Sequence, residues 1–167
     1  MDLYILRHGI AEPREVSGVK DDSARALTPE GEQKMRRIAK SITALEYSFD
    51  VILTSPFRRA KETAGIVADV LRLKKRVRIL PALAAGEPTK KLVEALQDHL
   101  NTFESVLIVG HEPDLSSLIS HLVSGGPRMA LNFKKGGLCK LTVSSLRSGR
   151  CAVLDWLAPP SQLKRIR

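Results

Sequence analysis

A chain of 167 residues with 43% apolar side chains suits one domain with a proper core, needing neither disulfides nor a metal to hold together. Two cysteines, Cys139 and Cys151, are too few for a disulfide scaffold, so reduced thiols in a cytoplasmic protein are expected. The balance of 27 Lys+Arg against 18 Asp+Glu, net +9, favours anionic partners such as phosphate esters, acidic protein faces, nucleic acid or anionic lipid. An aromatic content of 4% argues against stacking platforms for single-stranded nucleic acid. No segment approaches a membrane span, and the apolar run before Arg7 is too short for a signal peptide.

Apolar runs of strand length alternate with stretches of helical period, the pattern of an α/β fold. Leu3, Tyr4, Ile5 and Leu6 form the first buried strand. Residues 9–26 follow as the longest irregular connection, and such loops are often functional. Thr28-Pro29-Glu30 reads as a helix start, with a hydroxyl cap, proline in the first turn and a carboxylate at the positive dipole end. Met35, Ile38, Ile42 and Leu45 then make one apolar stripe. Val51 to Thr54 is the second strand, and Ser55-Pro56 caps a helix whose inward stripe is Phe57, Ala60, Ala64, Val67 and Leu71.

A basic run over residues 72–78 reads as a solvated turn leading into a short strand at 77–79. Leu92, Leu96 and Leu100 mark a helix after Pro88, and residues 105–109 the fourth strand. Beyond Gly110-His111-Glu112-Pro113, a helix carries Leu115, Leu118, Ile119, Leu122 and Val123 and ends near Gly125-Gly126. Residues 139–143 and 151–156 read as an edge hairpin in which Cys139 and Cys151 could face each other as buried thiols. The fold expected is three-layered: a mostly parallel central sheet flanked by helices, with an antiparallel C-terminal edge hairpin. Residues 1–167 form one domain, without repeat or linker.

Three strands run into polar residues: Leu6 into Arg7-His8-Gly9, Thr54 into Ser55-Pro56-Phe57-Arg58-Arg59, and Val109 into Gly110-His111. Ligands bind at the carboxyl ends of strands in open α/β sheets, so two histidines and two or three arginines converge on one rim. Arg58 and Arg59 sit in the first turn of a helix, where a cation is mildly unfavourable unless an anion shares the place. A guanidinium bonds two phosphate oxygens at once. Arg59 adjoins the buried Ala60, whereas Arg58 points further round and pairs with Glu62. Arginines would repel a metal cation, and His111-Glu112 could not chelate comfortably, so no metal or cofactor is expected. His99 and His121 lie on helices as structural or solvated residues, and Lys134-Lys135-Gly136-Gly137 reads as a basic turn near the rim.

Taken in order, the strand-Arg-His-Gly start, the Ser-Pro-x-x-Arg-Ala-x-x-Thr-Ala stretch from Ser55 to Ala64 and the strand-Gly-His at Gly110-His111 resemble the histidine phosphatase (phosphoglycerate mutase-like) superfamily. Leu27-Thr28-Pro29-Glu30-Gly31 is similar to a segment common there, and the shortness of the chain resembles the phosphohistidine phosphatases without a lid insertion. The resemblance implies His8 as a nucleophile that becomes phosphorylated, Arg7 and Arg59 as phosphoryl-oxygen ligands and His111 as a stabiliser of the transferring group. The chemistry agrees, because a neutral imidazole attacks phosphorus at neutral pH and fixed cations stabilise the equatorial oxygens.

One departure bears on substrate. Mutase and broad phosphatase branches carry a glutamate after the third strand as general acid, where this chain has alanine, with Glu87 displaced along the loop. Glu112 takes the place of an acid found in another branch, and both glutamates read as loop or helix-start residues. A leaving imidazole needs little help, whereas an alkoxide leaves badly without a proton donor. The expected activity is therefore removal of phosphate from phosphohistidine on a protein of histidine phosphotransfer type in a phosphorelay. A small-molecule phosphomonoesterase of the same fold is the alternative. A non-catalytic anion- or nucleic-acid-binding module is the alternative of another class, although neither a nucleic acid nor a membrane partner is expected.

Overall fold

The computed structural model describes residues 1–16 and 18–166. Its strands are β1 (Asp2–Arg7), β2 (Val51–Thr54), β3 (Val77–Ile79), β4 (Ser105–Gly110), β5 (Leu138–Val143) and β6 (Ala152–Ala158). Its α-helices are α1 (Pro29–Ala44), α2 (Arg58–Val70), α3 (Thr89–Thr102), α4 (Asp114–Ser124) and the short α5 (Pro160–Leu163). The strands form one six-stranded sheet in the order β3-β2-β4-β1-β5-β6. β1, β2, β3 and β4 pair in parallel, while β5 is antiparallel to β1 and to β6. The mostly parallel sheet with an antiparallel C-terminal edge is the architecture the alternation of elements predicts.

The strand period of two sorts the core between the faces of the sheet. Leu3 and Ile5 of β1 join Val51, Leu53, Val106 and Ile108 under α3 and α4. Tyr4 and Leu6 point the other way, with Ile52, Leu107 and Val109, against α1, α2 and α5. Both faces of the central strands are thus covered, which is why they read as continuous apolar runs. Among the described residues no helix is long and apolar enough to cross a membrane.

α1 begins as its sequence predicts: Thr28 Oγ1 accepts from the Gly31 amide at 3.0 Å, and Pro29 opens the helix. Two local expectations need correction. Ser55 does not cap α2, which starts three residues later behind Phe57 without a side-chain cap. Nor do the two cysteines face each other, since register sets Leu157 opposite Cys139 and Ala152 opposite Val143; both thiols are free and buried. The basic run lies at the amino-terminal edge of β3, where Lys74 pairs with Asp69 and Arg76 Nη1 donates to the Phe49 carbonyl. It is remote from the carboxyl ends of the strands.

Gly31 links this scaffold to the rim. A Cβ there would stand 2.1 Å from the carbonyl oxygen of Ile10, two residues beyond His8. Neither backbone segment can yield without moving the chain after β1. Gly31→Ala is therefore expected to cost about 1–3 kcal/mol of stability, as overpacking does, and to lower activity. Thermal melting against wild type reads the first effect, and an unchanged midpoint would contradict the close approach.

Candidate active site

β2, β4 and β1 are neighbours, so their carboxyl ends meet on one edge. Arg7 stands opposite Gly110, the His8 amide donates to the Gly110 carbonyl at 3.1 Å, and the Ser55 amide donates to that of Val109 at 3.0 Å. These ladder continuations bring Arg7, His8, Ser55 and His111 together, while the first turn of α2 adds Arg59. His8 and His111 are buried, with ring centroids 5.1 Å apart. Arg7, His8, Arg59 and His111 are thus found in one cluster.

The tautomer of His8 follows from its partners. Its Nδ1 lies 2.7 Å from the Gly9 carbonyl oxygen, which can only accept, so Nδ1 carries the proton. Nε2 is left with its lone pair, and Arg59 Nε donates to it at 3.3 Å. Burial holds this imidazole down to about 3, against the ordinary 6.5; the Gly9 bond opposes that shift, and the fields of His111, Arg59 and Arg7 add to it. His111 falls to about 4, mainly through burial and then through the charge of Arg59. Both rings are neutral at neutral pH.

In the Ser55–Ala64 stretch, Ser55, Arg59, Ala60, Thr63 and Ala64 now have a physical reason. Ser55, fully buried, places Oγ 2.7 Å from His111 Nε2. Arg59 reaches His8, and Ala60 and Ala64 are small enough to seat α2 on the sheet with no exposure. Thr63 Oγ1 accepts from the Gly9 amide at 3.0 Å and donates to the Arg59 carbonyl, tying the chain after His8 to the helix. Arg58 is outside the cluster, paired with Glu62 at 2.7 Å as the helical spacing implies. Phe57, expected in the core stripe, instead packs against the His111 ring at 5.0 Å and under the Arg59 guanidinium at 5.2 Å.

The sequence reading missed Asp22. It lies on a 3-10 turn, Asp22–Ala24, inside the long connection after β1. Arg59 Nη2 meets its Oδ2 at 2.9 Å and Arg59 Nη1 donates to its backbone oxygen at 2.8 Å. The Nη1–Nη2 end of the guanidinium is thereby clamped, and the Nε edge is turned to His8. Arg25 donates through Nε to Asp22 Oδ1 at 2.8 Å, and Arg14 lies 3.4 Å from the same oxygen. Despite partial burial, the charges and hydrogen bonds of Arg59 and Arg25 hold the Asp22 carboxyl below its usual range. The signal was present as an Asp-x-x-Arg pair in a long polar loop, but no periodicity assigns such a pair to a helix 37 residues away.

Arg7 Nη1 donates to the Phe133 carbonyl at 2.7 Å, which aims the side chain. Lys135, on the turn before β5, is depressed by partial burial and then by the charges of Arg7, Arg25 and Arg59, so it belongs to the same cationic field. The two glutamates offered as proton donors are otherwise engaged. Glu87 pairs with Lys91 at 2.8 Å, and Glu112 accepts from the amide and hydroxyl of Ser116. Among the described residues, two buried side-chain polar atoms have no hydrogen-bond partner: Arg7 Nε and His111 Nδ1. Such atoms cost about 1–3 kcal/mol each. No three His, Cys, Asp or Glu side chains among the described residues gather into a metal-binding group.

Comparison with known proteins identifies the family. The model of the histidine phosphatase superfamily, branch 1, matches residues 3–85. The phosphohistidine phosphatase SixA of Escherichia coli is 30% identical over 166 residues, covering 98% of this chain and 97% of its own. The chain belongs to the histidine phosphatase superfamily. An uncharacterised protein of Picosynechococcus is 32% identical over 152 residues, 88% of each chain. The structure of SixA complexed with tungstate superposes with a TM-score of 0.84 at 29% identity, covering 98% of this chain and 99% of that one. This member of the superfamily is accordingly an enzyme, a phosphatase.

Two expectations follow for this phosphatase. Between the ordinary histidine value of 6.5 and the folded values of about 3 and 4, the unfolded chain holds more protons than the folded one. Stability therefore rises with pH through that window and is lost on acidification. Denaturant midpoints at pH 7 and pH 5 are expected to fall less in His111→Gln than in wild type; equal losses would show that the buried ring does not titrate as described. Asp22→Ala is expected to lower kcat/KM by about tenfold to a hundredfold, the scale of a misplaced positioning group, with unaltered circular dichroism. Full activity would show that Arg59 needs no such clamp.

Proposed function

We propose that the enzyme dephosphorylates phosphohistidine on a protein partner, through a covalent phosphohistidine intermediate on His8. The observation that carries this reading is the lone pair at His8 Nε2, held only by Arg59 Nε at 3.3 Å, in a pocket where Arg7 Nε and His111 Nδ1 are buried without partners. A tetrahedral oxyanion supplies acceptors for both and for the Nε edge of Arg59. Tungstate, the ligand of the similar SixA structure, is an oxyanion of that shape.

In the first step His8 Nε2 attacks phosphorus, a P–N bond forms, and the P–N bond of the substrate breaks. Arg59 Nε must release the lone pair and pass to a phosphoryl oxygen as this happens. Arg7 and Arg59 carry the charge of the equatorial oxygens, and His111 donates to one of them. The departing imidazole accepts a proton near neutral pH without an enzyme acid. Water then attacks the phosphoryl group on His8, releasing inorganic phosphate and restoring the neutral ring.

The engagement of Glu87 with Lys91 and of Glu112 with Ser116 supports a substrate whose leaving group needs no proton donor. The connection after β3 is a 3-10 turn, Pro81–Leu83, and a few further residues held by Gly86 donating to Asp114 at 2.9 Å. It builds no lid, so a side chain projecting from a folded protein can enter. Residues 1–167 act in this reading as one catalytic domain.

The decisive measurement is turnover of a phosphohistidine-bearing phosphotransfer protein beside p-nitrophenyl phosphate and sugar phosphates. A preference of at least a hundredfold in kcat/KM for the phosphoprotein is expected. A preference for an alkyl phosphate would transfer the assignment to a small-molecule phosphomonoesterase. His8→Ala should abolish turnover and acid-labile labelling by radioactive phosphate while leaving the fold intact.

A further inference from the structure

We infer that Ser55 is a positioning residue whose hydroxyl fixes His111 as the Nδ1–H tautomer and so presents a hydrogen-bond donor to the phosphoryl oxygens. The inference rests on the reading that His111 contacts the phosphoryl group, and it assigns a role to a serine that otherwise resembles a helix cap.

The proton accounting at Ser55 is closed. Its Oγ accepts from the Phe57 amide at 3.2 Å, which uses an oxygen lone pair. Its own O–H needs an acceptor, because the residue is fully buried and an unpaired hydroxyl there is costly. Among the described residues, the acceptor within reach is His111 Nε2, at 2.7 Å. The hydroxyl makes no hydrogen bond, among the described residues, besides those to the Phe57 amide and to His111 Nε2. With Ser55 donating, Nε2 carries a lone pair, and a neutral ring must keep its proton on Nδ1.

The other end of the ring supplies the independent observation. His111 is 2% exposed and its Nδ1 is one of the two orphaned buried polar atoms. In the Nδ1–H form that atom is a donor awaiting an acceptor, and a phosphoryl oxygen satisfies it. In the opposite tautomer a lone pair would face the oxyanion and repel it. Phe57, packed against the ring at 5.0 Å, holds the plane in which this choice operates. The burial that keeps His111 neutral at neutral pH makes the tautomer decisive, since a cationic ring would donate from both nitrogens.

The two histidines are therefore set in complementary ways. His8 is held as Nδ1–H by a carbonyl and offers the lone pair of Nε2; His111 is held as Nδ1–H by a hydroxyl and offers the proton itself. Tautomer control by a hydrogen bond to the far nitrogen is a general device of imidazole chemistry.

Nitrogen-15 NMR of the imidazoles in the intact, substrate-free enzyme at neutral pH tests this directly. His111 is expected to show a protonated Nδ1 and an unprotonated Nε2; the reverse assignment overturns the inference. In Ser55→Ala the signal should move toward the Nε2–H form, and a ring that stays wholly Nδ1–H would show that Ser55 does not set it. Titration with inorganic phosphate, followed on the same resonances, should give a Kd about tenfold higher in Ser55→Ala, the scale of one hydrogen bond to a charged group. An unchanged Kd would show that no donor is being presented. Should Ser55→Ala not fold, the wild-type spectrum decides alone. None of these measurements uses a phosphoprotein, so a wrong substrate class would leave the result standing.

Discussion

The site depends on keeping an imidazole uncharged among fixed cations. Arg7 and Arg59 cannot lose their protons, so a third positive charge on His8 would have to exist desolvated beside them. The ring answers by staying neutral, and one carbonyl, that of Gly9, decides which nitrogen holds its proton. Everything that positions those cations then becomes part of the chemistry. Asp22 fixes the end of Arg59, the Phe133 carbonyl fixes Arg7, and Thr63 fixes the backbone between His8 and α2.

The sheet makes this arrangement inexpensive. Parallel pairing of β2 with β4 and of β4 with β1 ends adjacent strands at one level, so residues far apart in the chain begin their loops side by side. The apolar faces below are continuous, and the polar side chains are confined to the rim, where hydrogen bonds to loop carbonyls replace those of water. Two atoms are left unsatisfied there, and the stability of the surrounding core tolerates them. The same rim shows how α2 opens with arginine against its dipole: Arg59 is held by Asp22, and Arg58 is paired with Glu62.

Residue patterning alone made most of this legible. Continuous apolar runs marked β1, β2 and β4, because strands covered on both faces cannot alternate. Thr28-Pro29 marked the start of α1, because its cap is local and needs no tertiary partner. Arg7, His8 and His111 could be named because each stands at the end of an apolar run, so strand topology carries them to one edge, and Arg59 because it lies in the first turn of the helix after β2, beside the buried Ala60. Asp22, Phe57 and the function of Ser55 were not legible. Ser55 satisfies the rule for a helix cap, and only the presence of His111, 56 residues away, draws its hydroxyl elsewhere. Phe57 satisfies the period of a core stripe but lies where the core ends and the rim begins.

The sequence by itself therefore determined the layers, the sheet and the identity of the titratable groups that reach the rim, since these follow from local periodicity and chain order. Tertiary structure decided the protonation of those groups, the orientation of each ring and guanidinium, and the partner each one keeps. Those properties depend on burial and on hydrogen bonds between segments many residues apart, which no window along the chain contains.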